Sequence, residues 1–202
     1  MIAKDVVKGT TALKVLGYGE DFLTFWAISK KLGKILGQLK DDANPEEYTV
    51  FYRPSFGRRG GTKRAEFGEF DAIIVTPKAA YLVESKWDGS NASFPNNVLK
   101  LGDIQIRRHE IFRWYHENWK GEGWKEFVRK HAHEFRRNFD KNIAPAGSLL
   151  SQNLMTVLNS TRGRKLVNIL LLFHRGELPK IETRFKVVTL KYKLADGEYI
   201  EL

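Results

Sequence analysis

Between Glu66 and Trp87, two carboxylates and a lysine fall where a strand-turn-strand unit would gather them. Glu66 to Val75 reads as a strand with Phe67, Glu69, Asp71, Ile73 and Val75 on one side and Glu66, Gly68, Phe70, Ala72 and Ile74 on the other. A Thr76-Pro77-Lys78-Ala79 turn follows, and a second strand covers Ala80 to Trp87. Strand side chains repeat every two residues, so Leu82, Glu84 and Lys86 share a face. If Val75 pairs with Ala80, Asp71 lies opposite Glu84, and Glu69 lies opposite Lys86. Opposed side chains on neighbouring strands have Cβ atoms about 5 Å apart, where like charges repel. A hard cation would offset two such carboxylates. Mg²⁺ takes one or two, keeps several waters and leaves room for a phosphate oxygen. Ile73, Ile74, Val75, Leu82 and Val83 make both strands apolar on both faces, the pattern of buried central strands rather than of a surface hairpin with scattered charges.

Asp71, followed by Glu84-Ser85-Lys86 at the end of the next strand, resembles the signature of the PD-(D/E)XK nuclease superfamily, whose branches include archaeal Holliday junction resolvases and nuclease-related domains. Phe70 stands where the signature carries its leading proline. The resemblance implies an α/β fold with a restriction endonuclease-like αβββαβ core, a mixed sheet flanked by helices. It implies Mg²⁺, or Mn²⁺ in its place, held by Asp71, Glu84 and the carbonyl of Ser85, with Lys86 positioning or helping to deprotonate the attacking water. The reaction implied is endonucleolytic hydrolysis of DNA that leaves a 5′-phosphate and a 3′-hydroxyl. In the resolvase and nuclease-related branches a glutamate on the first helix approaches the metal, and Gly19-Glu20 resembles that feature. In many members the helix after the lysine motif directs a glutamine or a basic residue toward the metal and the scissile phosphate, which gives those places to Gln105 and Arg108.

The rest of the chain must hold these groups. Gly17 to Leu39 reads as a first helix, with Phe22, Phe25, Ile28, Leu32, Ile35 and Leu39 on an apolar stripe. On that wheel Asp21 falls within the stripe and Glu20 points away, and an acidic first turn also suits the helix dipole. Glu47 to Ser55 reads as a strand beside the hairpin. Between them Gly57 to Arg64 carries Arg58, Arg59, Lys63 and Arg64 among glycines, a loop suited to DNA phosphates or, more plainly, a solvated basic turn. Trp87 to Asn97 reads as a loop, and Leu101, Ile104, Ile111, Phe112, Tyr115 and Trp119 share the next helical face, with Arg108 at its centre and Gln105 on its flank. A long side chain in that position snorkels, pairs with a carboxylate or serves the site.

Trp124 to Phe139 reads as an amphipathic helix with a basic outer surface, Leu149 to Leu158 as a short helix, and Lys165 to Phe173 and Arg184 to Tyr192 as strands. A hairpin at Asp196-Gly197 is expected to finish the sheet. His131 and His133 fall on different helical faces, so they do not share a metal.

The length of 202 residues suits one domain, with the site core in about 17–120 and further helices and strands in 121–202. Lysine and arginine number 34 against 24 aspartates and glutamates, a net charge of +10 that favours a polyanionic partner. With no cysteine there is no disulfide framework and no thiolate metal site. The N-terminus lacks a signal-peptide core and no stretch is long and apolar enough to span a membrane, so a soluble, cytoplasmic protein is expected. The expected function is a metal-dependent DNA endonuclease, a homodimer if both strands are cut. The alternative is a nucleic-acid binding module of the same fold that does not cleave.

Overall fold

The computed structural model describes residues 15–57, 64–88, 97–195, 197 and 199–201. Along the chain run β1 (Leu16–Gly17), α1 (Gly19–Lys30), α2 (Leu32–Gln38), β2 (Thr49–Tyr52), β3 (Ser55–Phe56), β4 (Gly68–Glu69), β5 (Ala72–Val75), β6 (Ala79–Trp87) and β7 (Val98–Lys100). Then follow α3 (Asp103–Asn118), α4 (Trp124–Phe139), α5 (Leu149–Thr161), β8 (Lys165–His174), β9 (Lys180–Glu182), β10 (Lys186–Lys191) and β11 (Ile200–Glu201).

A five-stranded mixed sheet in the order β10-β8-β6-β5-β2 forms the middle layer. The β5–β6 hairpin pairs Val75 with Ala80 and Ala72 with Val83, the register expected from the turn. Side-chain alternation then sorts the two strands to opposite layers. Ile73, Val75, Ala80 and Leu82 face a core built with Phe112, Tyr115, Phe127 and Leu158 of α3, α4 and α5. Ala72, Ile74, Tyr81 and Val83 face the other core, with Leu23 and Ala27 of α1 and Ile35 and Leu36 of α2. Both faces are covered, which is why these strands are apolar throughout. β8 and β10 run parallel to β6, so the carboxyl ends of three strands lie at one edge of the sheet. Gln38 caps the outer strand β10, its amide giving Nε2–H to the Thr189 carbonyl at 2.9 Å and accepting the Thr189 N–H at 3.2 Å.

Three expectations change. The first helix is two, because Lys31 leaves helical geometry (φ −128°, ψ 13°) and α2 turns away to reach β10. The strand expected from Glu66 to Val75 is broken, since β4 leaves the sheet to pair with β3, Ser55 opposite Glu69. Glu69 therefore forms an ion pair with Arg53 instead of lying opposite Lys86. Gly68 at φ +110° and Arg53 at φ 48° are the backbone bends that make this departure. At the C-terminus Asp196 lies outside the described residues, and β11 pairs antiparallel with β1, Leu16 opposite Glu201, rather than with the main sheet. Among the described residues no helix is long and apolar enough to cross a membrane.

Candidate active site

The alternation that buries Ala80 and Leu82 on the α3 side carries Glu84 to that side as well, while Ser85 points to α1. Asp71 sits one residue before β5, where the Arg53 N–H donates to its carbonyl at 3.1 Å and fixes the bend. Its carboxylate accepts the Ser85 N–H at 2.6 Å. Asp71 thus caps a backbone donor beside Glu84, at the end of the ladder that the two would continue.

Glu84 is 3% exposed and heavily partnered. Gln105 Nε2 donates to its Oε1, Arg108 Nη1 donates to Oε2 at 3.1 Å, and Lys86 Nζ stands 3.6 Å from Oε1. Gln105 also accepts the Gly102 N–H through Oε1 at 2.9 Å, so its amide ties the first turn of α3 to Glu84 and each end of the amide has its proper partner. Lys86 Nζ donates to the Ser85 carbonyl at 2.5 Å and lies 3.3 Å from Glu20 Oε1. Glu20, Asp71, Glu84, Ser85, Lys86, Gln105 and Arg108 are therefore linked side by side, drawn from α1, the β5–β6 hairpin and α3.

Glu20 joins because α1 turns a different face inward from the one its large residues suggest. Glu20, Leu23, Thr24 and Ala27 follow the helical spacing, and Leu23, Thr24 and Ala27 are buried. Phe25 is exposed instead and stacks edge-on with Tyr52 at 5.5 Å. The small residues let α1 lie close to β6. Thr24 Oγ1 is 2.8 Å from both the Glu20 carbonyl and Ser85 Oγ, so with its single proton on the carbonyl it accepts from Ser85. Asp21 turns outward into an ion pair with Arg53, which also holds Glu69.

Three carboxylates and two cations in a buried site shift one another's protons. Burial first, and then the charge of Glu84, push the Asp71 carboxyl up to about 7, with the Ser85 N–H and Lys86 only partly opposing them. Burial also works against the charged form of Glu84, but the ion-pair contacts with Lys86 at 3.6 Å and Arg108 at 3.1 Å outweigh it and hold that carboxyl below its usual range. Glu20 is raised, by burial against the pull of Lys86. Asp71 and Glu84 are thus pushed apart, Asp71 upward and Glu84 downward, so Asp71 is the carboxyl of the two that holds a proton more tightly.

Of the residues assigned to DNA, Arg58, Arg59 and Lys63 lie outside the described residues, Arg64 is exposed, and Arg108 points inward to Glu84. Ile104 was expected on the buried face of α3 but is 78% exposed, because α3 packs through His109, Ile111, Phe112, Trp114 and Tyr115. Sequence reasoning missed Thr24 and His109. His109 lies four residues after Gln105 and three before Phe112, the spacing that would have placed it on the site side of α3.

Among the described residues no cluster of three or more His, Cys, Asp or Glu side chains is arranged to hold a metal ion. The donors expected from the sequence, Asp71, Glu84 and the Ser85 carbonyl, are two carboxylates and one backbone carbonyl. No protein-family model matches the chain, and neither a curated protein nor a solved structure matches it.

Proposed function

We propose that this chain is a divalent-metal-dependent endonuclease that hydrolyses DNA, with the restriction endonuclease-like core and the PD-(D/E)XK reaction. The observation that carries the reading is the convergence of Asp71, Glu84 and Lys86 with Glu20 and Gln105 at the end of the hairpin. The order of α1, the antiparallel β2, β5 and β6, α3 and the parallel β8 supports it. The donors suit a hard cation. Two buried carboxylates are so close that the charge of one raises the other, a repulsion that Mg²⁺ or Mn²⁺ between them would remove. Asp71, Glu84 and the Ser85 carbonyl would hold the ion, which when bound supplies positive charge that lowers the pKa of water and offsets charge on the phosphate.

The protein's own part is positioning and proton handling. Lys86 Nζ, fixed by the Ser85 carbonyl and Glu20, is placed to orient a water and, in its neutral amine form, to take the proton that water loses. The water oxygen attacks phosphorus in line, the P–O3′ bond breaks, and a proton goes to the departing 3′ oxygen. The products are a 5′-phosphate and a 3′-hydroxyl. Gln105 fixes Glu84 by sharing its amide between the carboxylate and the helix terminus.

A binding module that does not cut is the second reading, and the internal partners already on Glu84 favour it. Nicking of plasmid, linear and branched DNA with and without Mg²⁺ separates the two. Cleavage that needs the metal supports the enzyme, and retention of DNA on a filter without cleavage in any arm supports the module. Preference for a four-way junction over a duplex would mark a resolvase-like substrate.

DNA affinity is expected to fall steeply with salt, each phosphate contact adding about 0.9 to the log–log slope through counterion release. Neutralising Arg58, Arg59, Lys63 and Arg64 together should flatten the slope by up to about 3.6 if each meets one phosphate. An unchanged slope in a filter-binding salt series would remove this loop from the interface.

A further inference from the structure

The polar atoms around Glu84 are not all matched. Among the described residues, Arg108 Nε and both ring nitrogens of His109 are buried and find no hydrogen-bond partner. His109 is 1% exposed and is held between Phe70, at 4.7 Å, and Phe185, at 4.5 Å. Its Nε2 lies 3.9 Å from Glu84 Oε2, too far for a hydrogen bond, and Oε2 is the oxygen that Arg108 Nη1 occupies at 3.1 Å. Two donors thus address one carboxylate oxygen, and the one in contact is carried on the longer side chain with more rotatable bonds. His109 cannot move away without disturbing two aromatic rings. Arg108 reaches Glu84 through a long side chain laid beside Gly68, where an added Cβ would come within 2.8 Å of Arg108 Nε. Its guanidinium lies 6.0 Å from the centre of the Phe70 ring and is partly open to solvent. A guanidinium so placed can exchange a carboxylate for a phosphate, since its planar fork fits both.

We infer that Arg108 is a displaceable lock on Glu84, which DNA opens. This rests on the nuclease reading above. With Arg108 on Oε2, a cation must compete with the guanidinium for Glu84. When a DNA phosphate draws Arg108 away, the Glu84 carboxylate is free to close its 3.9 Å separation from His109, whose Nε2–H tautomer then donates to the vacated oxygen. Glu84 stays held in the site but loses the positive charge that competed for it. The unpartnered nitrogens are what this exchange leaves behind in the locked state. The consequence is thermodynamic. Metal and DNA must each strengthen the other's binding by the same factor, and the share of that coupling due to the lock, beside what the ion adds by offsetting phosphate charge directly, must pass through Arg108.

The test uses the full chain. Mg²⁺ is titrated by calorimetry without DNA. The affinity for a phosphorothioate duplex, chosen to slow cleavage, is measured by anisotropy in Mg²⁺ and in EDTA at matched ionic strength. The wild type is expected to bind the duplex about tenfold tighter with Mg²⁺, within the usual range of coupling. Arg108→Met should bind Mg²⁺ about tenfold tighter than wild type without DNA, and its duplex affinity should respond to the metal less than that of the wild type does. His109→Phe keeps the ring packing but not the donor, so the wild-type coupling should shrink, and His109→Gln should return part of it. Melting in EDTA establishes that each variant folds, and Arg108→Lys, with one charge and no fork, gives an intermediate result should the Met variant not fold. If wild-type duplex affinity is the same in Mg²⁺ and EDTA while Mg²⁺ does bind, or if Arg108→Met leaves Mg²⁺ affinity unchanged, the lock falls and the nuclease reading stands. If the wild type binds no divalent ion with or without duplex, both fall.

Discussion

Asp71→Asn is expected to abolish metal-dependent cleavage while leaving the metal-free protein as stable as the wild type or more so. Asparagine can still accept the Ser85 N–H, which in the wild type meets Asp71 at 2.6 Å, so the hairpin keeps its terminal hydrogen bond. What is lost is one negative charge from the candidate donor pair. Mg²⁺ affinity should fall on the order of 100-fold or more, because outer partners of metal ligands alone are worth 10–100-fold. The stability effect has a definite pH dependence. The folded carboxyl of Asp71 sits at about 7 against 3.8 in the unfolded chain, so the folded state binds the proton more tightly. The wild type therefore loses stability as pH rises from about 4 through about 7, and stays at the lower level above that. The asparagine variant lacks this decline, so the difference in melting temperature should be small at pH 4 and largest above pH 7. Saturating Mg²⁺ should restore wild-type stability at pH 8 and do little for the variant. Calorimetric Mg²⁺ titration, melts in EDTA across pH and nicking rates read the three effects. A variant that cuts at the wild-type rate would remove Asp71 from the chemistry and favour the binding module.

The hairpin was legible because its information is local. Turn length set the register of Val75 with Ala80, and two-residue alternation set which side of the sheet Glu84 takes. That Arg108 pairs with a carboxylate was legible in part, since an arginine at the centre of an apolar helical face must snorkel or find a partner. Which carboxylate it meets was not, and Gln105 is marked only by its place on the flank of that face together with the family resemblance. The inward face of α1 was not legible. Hydrophobic periodicity weights large side chains, whereas this helix meets β6 through Thr24 and Ala27, whose smallness is what allows the approach. The departure of β4 was hidden as well, since strand alternation continues unbroken through Phe67, Glu69 and Asp71 while the backbone bends at Gly68 and pairs with β3. Nor does spacing show that Glu69 belongs to Arg53, because that pair depends on the left-handed turn at Arg53 itself. What failed was in each case tertiary, a contact between segments whose local patterns are each satisfied in more than one way.

Lys86→Ala is expected to separate metal binding from turnover, which the aspartate variant cannot do. Lys86 donates no lone pair to a cation. Its ammonium, 2.5 Å from the Ser85 carbonyl and 3.6 Å from Glu84 Oε1, opposes a second positive charge there. Removing it should leave Mg²⁺ affinity unchanged or raised, and free the Ser85 carbonyl to serve as a donor. Turnover should nevertheless fall by roughly 10²–10⁴-fold, the usual worth of a positioned proton donor or acceptor. Loss of the ammonium also leaves Glu20, now 3.3 Å from it, half-buried without a counter-charge among the described residues. Its carboxyl, already raised by burial, should rise further, so the folded variant holds that proton to higher pH and loses stability as pH climbs through the new value. Glu20→Gln in the same background should cancel that pH dependence without returning activity, because it removes the charge that Lys86 had balanced but supplies no proton carrier. Calorimetry, melts against pH and nicking rates on the single and double variants measure these together. Unimpaired cleavage by Lys86→Ala would mean that the lysine only pins the Ser85 carbonyl and Glu20, and the proton-handling group would have to be sought elsewhere in the site.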